Sequence, residues 1–345
     1  MSAFSAGTLT GKNVVTGACD DAMVYGLLVW ASSLHQTAKR PFHLVVAFLQ
    51  DRLSERNRAL VDSILNHLGV SHSFLPLAPD ERFLTQGHVS PTTFTKFLIA
   101  DAIELEHLWI DVDTVALPGW DTLFDYIHDT PSSVDLVVAE RGDMGDRAHQ
   151  EGAHQEKSEG RDIIAPSDLA FNAGVLGWPK GARKPWAETI QSLGDVPTIE
   201  QYTLNVLYSK FLRRVPEEYN LLTYRIEQID FERMPQIIHY AGAHKPWHLD
   251  RRFSKECTDY QCPWSLWFLA EQSFLESLKD FDSRIKISQL QRRALTSGKV
   301  FWRRDHSGVI FLRLLRYLGV LGWLIVLGAK PFKKYVPRGT HPLHG

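Results

Sequence analysis

The sequence predicts an α/β fold, a mixed central sheet flanked by helices, on three observations. Short apolar runs alternate with longer amphipathic ones from residue 13 to residue 140, the pattern of strand–helix–strand crossovers. The 345 residues, 44% hydrophobic and 23% charged, are those of a globular chain long enough to bury a large core. Aspartates collect just after the apolar runs, where ligands of such sheets bind.

Taken in order, residues 13–16 begin a strand, Cys19-Asp20-Asp21 form a polar turn, and 25–34 read as a helix. A strand over 42–48 follows, then a helix over 54–68 with Ser54 as N-cap and Gly69 as its stop. Strands are expected at 71–77, 108–112 and 134–139, with a helix at 92–103. Residues 141–166 are charged, glycine-rich and without apolar period, which predicts a mobile loop, of a length that is usually either a functional lid or simply disordered. Apolar order returns at 169–177, and helices are expected around 186–193 and 199–211.

Net charge is −2, but it is unevenly spread. Residues 284–345 carry 13 Lys/Arg against one acid, Asp305, which leaves residues 1–283 with 25 against 39. The division predicts a domain over 1–280 and a basic tail over 281–345. Within the tail, the unbroken apolar run 317–329 is shorter than the ~20 residues a membrane span needs. Lengthening it would bury Arg313 and Arg316. A helix lying on an anionic membrane surface, with Lys330, Lys333 and Lys334 on headgroups, is the reading preferred over a helix packed on the body or a partner. Positive charge around an apolar stretch is unlike a nucleic-acid surface, so no nucleic-acid partner is expected. Three cysteines, Cys19, Cys257 and Cys262, are too few for a disulfide framework, and the first dozen residues lack a signal-peptide layout. A cytoplasmic protein, peripheral on the inner face of the membrane, is expected.

The densest chemistry is Leu108-Trp-Ile-Asp111-Val-Asp113. Residues two apart on a strand share a face, so Asp111 and Asp113 are expected to aim both carboxylates at one point. Two such oxygens suit a hard divalent cation shared with phosphates; a solvated strand end is the alternative. Phe171-Asn172-Ala173-Gly174-Val175 sets an amide and a glycine within an apolar run. Glu200-Gln201 opens an apolar helix, and Ile237-Ile-His239-Tyr-Ala-Gly242-Ala-His-Lys245-Pro-Trp247 ends a strand with an imidazole, then a turn with a lysine. Together these groups suit a metal-bound pyrophosphate.

In this order and spacing, Ala18-Cys-Asp20-Asp21, Ser90-Pro-Thr-Thr-Phe-Thr-Lys96, Trp109-Ile-Asp111-Val-Asp113, Phe171-Asn-Ala-Gly-Val175, Glu200-Gln201 and His239-Tyr-Ala-Gly242-Ala-His-Lys245-Pro-Trp247 resemble glycosyltransferase family 8. That family holds retaining galactosyl- and glucosyltransferases of bacterial lipopolysaccharide and the glycogenins. The resemblance covers about residues 13–250 and implies a GT-A fold, a UDP-sugar donor and Mn2+ or Mg2+. It implies Asp111, Asp113 and His239 as metal ligands, with Ala18, Cys19, Asp20, Lys96, Val112, Asn172, Ala173, Gly242 and Lys245 around the donor. Gln201 would lie below the anomeric carbon. A front-face transfer follows, because an amide is a poor nucleophile; Glu200 is the nearby carboxylate that could act instead. Lys96 stands where the family has arginine, Tyr202 where it often has aspartate, and Ala22 where a uracil-contacting asparagine is common; which sugar is moved lies with Lys96, Gln201 and Tyr202.

The expected activity is metal-dependent transfer of glucose or galactose to a glycan acceptor of lipopolysaccharide type, lipid-linked at the membrane. A soluble transferase for a protein or small-molecule acceptor, and an inactive binding module on the same fold, are the alternatives.

Overall fold

The computed structural model describes residues 9–80, 91–140, 171–184, 186, 200–208, 210–223, 234–242, 245–248 and 263–281. The expected mobile loop, nearly all of the helix at 186–193, the side chain of Tyr202 and the tail beyond residue 281 lie outside the described residues.

Four apolar strands form the parallel half of the main sheet: β1 (Asn13–Ala18), β2 (Phe42–Leu49), β3 (His72–Leu77) and β4 (His107–Ile110). They stand in the order β3-β2-β1-β4. Beyond β4 lie β7 (Val175–Trp178), β6 (Leu136–Ala139) and β8 (Leu212–Val215), with β7 antiparallel to both of its neighbours. Between them run helices α1 (Val24–Thr37), α2 (Glu55–His67), α3 (Thr95–Ala102) and α4 (Leu123–His128), with α5 (Glu200–Tyr208) and α6 (Pro263–Ser277) later in the chain. A small second sheet has the order β5 (Thr114–Ala116), β10 (Ile237–His239), β9 (Leu221–Leu222).

Strands buried on both faces explain why the sequence shows continuous apolar runs instead of alternation. Val15, Leu44 and Val46 enter one core with α1, α2 and α6, while Val14, Val45 and Ala47 enter the other with α3 and α5. Ser54 caps α2 as expected, its side chain accepting from the Asn57 N–H at 3.4 Å, and Gly69 closes the turn beyond it at φ +73°. Asp21 binds this start from β1, accepting from Ser54 N at 2.9 Å and Asn57 Nδ2 at 2.8 Å.

Several expected elements are shorter than their apolar pattern, two helices most clearly. The 92–103 segment opens as a 3-10 turn, Pro91–Phe94, before α3, and the helix expected over 199–211 stops at Tyr208. There the chain crosses to the sheet edge and Leu212–Val215 pairs with β6, a tertiary pairing that local pattern does not carry.

The topology fixes where chemistry can collect. Because β1 and β4 are parallel, Cys19-Asp20 and Asp111 leave the sheet at the same edge. Because β7 is antiparallel, Asn172–Gly174 enters it at that edge, where Asp111 N–H donates to Gly174 O at 2.7 Å. Among the described residues no helix is long and apolar enough to cross a membrane.

Candidate active site

Asp111 and Asp113 do converge, though by a different device from strand alternation. β4 ends at Ile110, and residues 111–113 are the turn into β5. Thr114 Oγ1 donates to Asp111 O at 2.8 Å across this turn. Val112, between the two acids, buries its side chain in the core beneath α1 and offers a ligand only its backbone.

The small sheet delivers the third group. β10 pairs antiparallel with β5 so that His239 lies opposite Thr114, and Tyr240 N–H continues the ladder to Asp113 O at 2.9 Å. His239 Nε2 then lies 3.3 Å from Asp113 Oδ1 and 3.9 Å from Asp111 Oδ2. One atom from each of Asp111, Asp113 and His239 falls within 4.8 Å of the others. Two carboxylate oxygens and one imidazole nitrogen are donors a divalent cation accepts, and the spacing fits a shared ion.

Gly174 makes room for the imidazole. A Cβ on this residue would stand 2.1 Å from His239 Cε1, so only glycine lets the strand pass. On the far side of the ring, His239 Nδ1 meets Asn220 Oδ1 at 2.9 Å. Asn220 is brought there by the 3-10 turn Glu217–Asn220 that enters β9. Sequence reasoning missed this residue, since a lone buried asparagine after two glutamates has no spacing signal.

Lysines hold the two acids differently. Lys245, three residues beyond the positive-φ turn at Gly242 (φ +106°), pairs with Asp113 Oδ2. Burial pushes the Asp113 carboxyl up, but Lys245 and His239 beside it outweigh this and hold it well below the ordinary range. Asp111 moves the opposite way: burial raises it, against Lys96, and the neighbouring Asp113 raises it further. Trp109 Nε1 donates to Asp111 Oδ1 at 2.7 Å.

Lys96 is wholly buried in α3. Its Nζ donates to Ala173 O at 3.1 Å and Glu200 Oε1 at 3.4 Å, lies 3.7 Å from Asp111 Oδ1, and sits 5.3 Å over the Trp109 ring. Burial alone would lower its pKa; Asp111 and Glu200 reverse that, so the ammonium is held charged. Lys96 therefore joins Asp111 to the helix that carries Gln201.

Gln201 Oε1 accepts from Asn172 Nδ2 at 3.0 Å and Ala173 N at 3.4 Å. Asn205, one turn on in α5, accepts from Phe171 N at 2.7 Å and donates to Phe171 O at 2.9 Å, fixing the segment that carries Asn172 and Ala173. At the far end, Ala18 and Cys19 are buried, and Cys19 N–H donates to Ala47 O at 3.1 Å. Asp20 Oδ1 accepts from Ala22 N and Met23 N at the start of α1, while Oδ2 receives Thr92 Oγ1 at 3.4 Å. Thr92 lies in the 3-10 turn leading to Lys96, so the β1 end and the charged cluster share one supporting element.

The comparisons agree with this architecture. A crystal structure of an active-site mutant of LgtC superposes with TM-score 0.53 at 22% identity, covering 77% of this chain and 95% of that one. The galactosyltransferase LgtC in complex with donor and acceptor sugar analogs gives 0.52 at 22% identity, over 78% and 96%. The bifunctional glycosyltransferase WbbM gives 0.55 at 17% identity, over 82% of this chain and 52% of that one. At these identities the likeness is one of fold, and it makes this a GT-A architecture. No curated protein sequence matches the chain. The sequence model of Glycosyl transferase family 8 matches residues 14–251, a span that holds every residue of the cluster, and the chain is a glycosyltransferase of that family.

Proposed function

We propose that the protein is a metal-dependent, retaining hexosyltransferase that moves glucose or galactose from a UDP-sugar to a surface glycan of lipopolysaccharide type. The observation that carries this reading is the convergence of Asp111, Asp113 and His239 within 4.8 Å, with Lys245 beside Asp113. Asp111, Asp113 and His239 would hold Mn2+ or Mg2+. Such an ion supplies Lewis-acid stabilisation of charge on a departing diphosphate.

The remaining residues divide the donor between them. Lys245 gives a compact point charge for a phosphate oxygen, and the Gly242 turn lets backbone come close to it. Ala18, Cys19 and Asp20 would meet the uridine. Since the Cys19 N–H is engaged with Ala47, the nucleoside would find its carbonyl, and it would share Asp20 Oδ2 with Thr92. Asn172 and Ala173 line the sugar end, with Lys96, expected at the donor, instead buried behind them on Ala173 O, Glu200 and Asp111.

Within a retaining transfer, a front-face route in place of double displacement is supported by what the two candidate nucleophiles are doing. Gln201 turns its amide oxygen to Asn172 and Ala173, and Glu200 turns a carboxylate oxygen to Lys96. Neither is poised to form a glycosyl-enzyme bond. The acceptor hydroxyl would attack the anomeric carbon from the side on which UDP departs. Its proton passes to the leaving phosphate oxygen as the C–O bond to UDP breaks, and Gln201 supports positive character at the sugar.

The basic, apolar tail supports action at the cytoplasmic face of a membrane, on a lipid-linked acceptor. A screen of UDP-sugars for Mn2+-dependent UDP release tests the reading. One donor is expected to be hydrolysed, with the rate falling at least 100-fold in Asp113→Asn, in keeping with loss of a metal ligand. Undiminished hydrolysis in that variant overturns the metal assignment.

A further inference from the structure

The groups around His239 form a chain whose hydrogen positions are all determined. Gly174 N–H can only donate, and it donates to Asn172 Oδ1 at 2.9 Å. That fixes the Asn172 amide, so its Nδ2 is the group that faces Gln201 Oε1. Asn220 Nδ2 lies 3.0 Å from the same Asn172 Oδ1 and 3.4 Å from Asn172 O, two acceptors, so it too must donate. Asn220 therefore presents Oδ1 to His239 Nδ1, and that nitrogen must carry the hydrogen.

We propose that Asn220 is a positioning residue that locks His239 in the Nδ1–H tautomer and ties it, through Asn172, to the orientation of Gln201. The consequence at one end is that Nδ1 keeps its hydrogen, so the hydrogen given up to a cation leaves from Nε2, the nitrogen aimed at Asp111 and Asp113, and the lone pair it uncovers is the form in which an imidazole binds a metal. At the other end Gln201 must turn its Nε2, not its oxygen, away from Asn172. All three side-chain hydrogen bonds run in one direction, from His239 to Asn220 to Asn172 to Gln201. Asn220 is buried in the site, so bulk water does not substitute for it at His239. The proposal rests on the metal reading only for what the exposed nitrogen binds; the tautomer itself does not depend on it.

The test combines nitrogen-15 spectra of the histidine rings with Mn2+ titration. In the metal-free wild type, with signals assigned by difference against His239→Gln, Nδ1 of His239 is expected to carry hydrogen at every pH, and the neutral ring to be the Nδ1–H tautomer. Asn220→Leu removes both arms: the ring should show mixed tautomers, and Mn2+ affinity should fall about 10–100-fold. Asn220→Asp still accepts from Nδ1–H but cannot donate to Asn172. It should keep the tautomer and Mn2+ affinity within about threefold while lowering kcat at saturating Mn2+, because only the Gln201 arm is lost. A neutral wild-type ring with its hydrogen on Nε2 and none on Nδ1 overturns the proposal, whether or not the variants fold. So does an Asn220→Leu protein with unchanged tautomer and affinity. A wild type that shows the expected tautomer but binds no Mn2+ supports the lock and rejects the metal reading.

Discussion

Replacing Gly174 by alanine tests whether the approach of β7 to His239 is what makes the cluster. The new Cβ would lie 2.1 Å from His239 Cε1, 2.4 Å from Nδ1 and 2.9 Å from Asn172 Oδ1. Ordinary contact begins near 3.4 Å, so the ring must retreat by about 1.3 Å. The backbone has little freedom to yield, since Gly174 O is held by Asp111 N at 2.7 Å and Gly174 N by Asn172 Oδ1 at 2.9 Å. Metal–ligand distances tolerate only about 0.2 Å. The expected result is a loss of Mn2+ affinity of about 100-fold or more, with an overpacking cost of about 1–3 kcal/mol in urea unfolding. Gly181→Ala is the control: its φ of +75° makes a side chain strained, but nothing stands near its Cβ. It should lose about 1 kcal/mol of stability and no Mn2+ affinity. Calorimetric titration of the two folded variants decides the matter. A Gly174→Ala protein that binds Mn2+ as the wild type does would refute the packing argument.

Lys96→Met removes the partner of two acids, Glu200 with a side chain 13% exposed and Asp111 with one 27% exposed. Stability should fall by about 3 kcal/mol, the low end for a broken buried pair because water still reaches Asp111; no change in the urea midpoint would contradict the pairing. Burial holds the His107 imidazole down to about 4, so below pH 6.5 the unfolded chain binds a proton that the folded chain refuses. Stability is expected to be full near pH 7 and to fall by about 2 kcal/mol at pH 5 from this group alone, a slope that His107→Phe should remove from the pH series. Gly26→Ala would set a Cβ 2.4 Å from the Trp247 ring, two residues beyond Lys245. Donor KM should rise more than Mn2+ affinity falls, and equal changes in both would contradict a local effect on the lysine turn.

The sequence carried the strands of the parallel half because strands buried on both faces read as continuous apolar runs, with little competing period. It carried the aspartate pair and His239 as residue types, but not the way they meet. Asp111 and Asp113 converge through a turn, and His239 arrives by pairing of β5 with β10, two segments separated by more than a hundred residues. Asn220 was illegible for the same reason. Its meaning comes from β9 lying beside β10, and β9 is only Leu221–Leu222, too short for any periodicity. The residues 200–208 read correctly as a helix, yet its end did not, because Leu212–Val215 becomes a strand only through β6.

Lys96 shows why the residue types alone left the chemistry open. A buried ammonium is costly unless paired, and here its partners come from three separate elements: Asp111 after β4, Ala173 before β7 and Glu200 at the start of α5. The lysine thus does what a ligand-contacting arginine would do for charge while adding no fork toward the site. It also draws Glu200 to the protein side, and Asn172 draws the Gln201 oxygen the same way. The Gln201 amide oxygen and one carboxylate oxygen of Glu200 are turned inward by contacts whose donors are a buried lysine, a backbone N–H and an amide fixed by another backbone N–H. The orientation of the Gln201 amide is therefore set by the main-chain N–H groups of Ala173 and Gly174, just before β7, and not by exchangeable side chains alone.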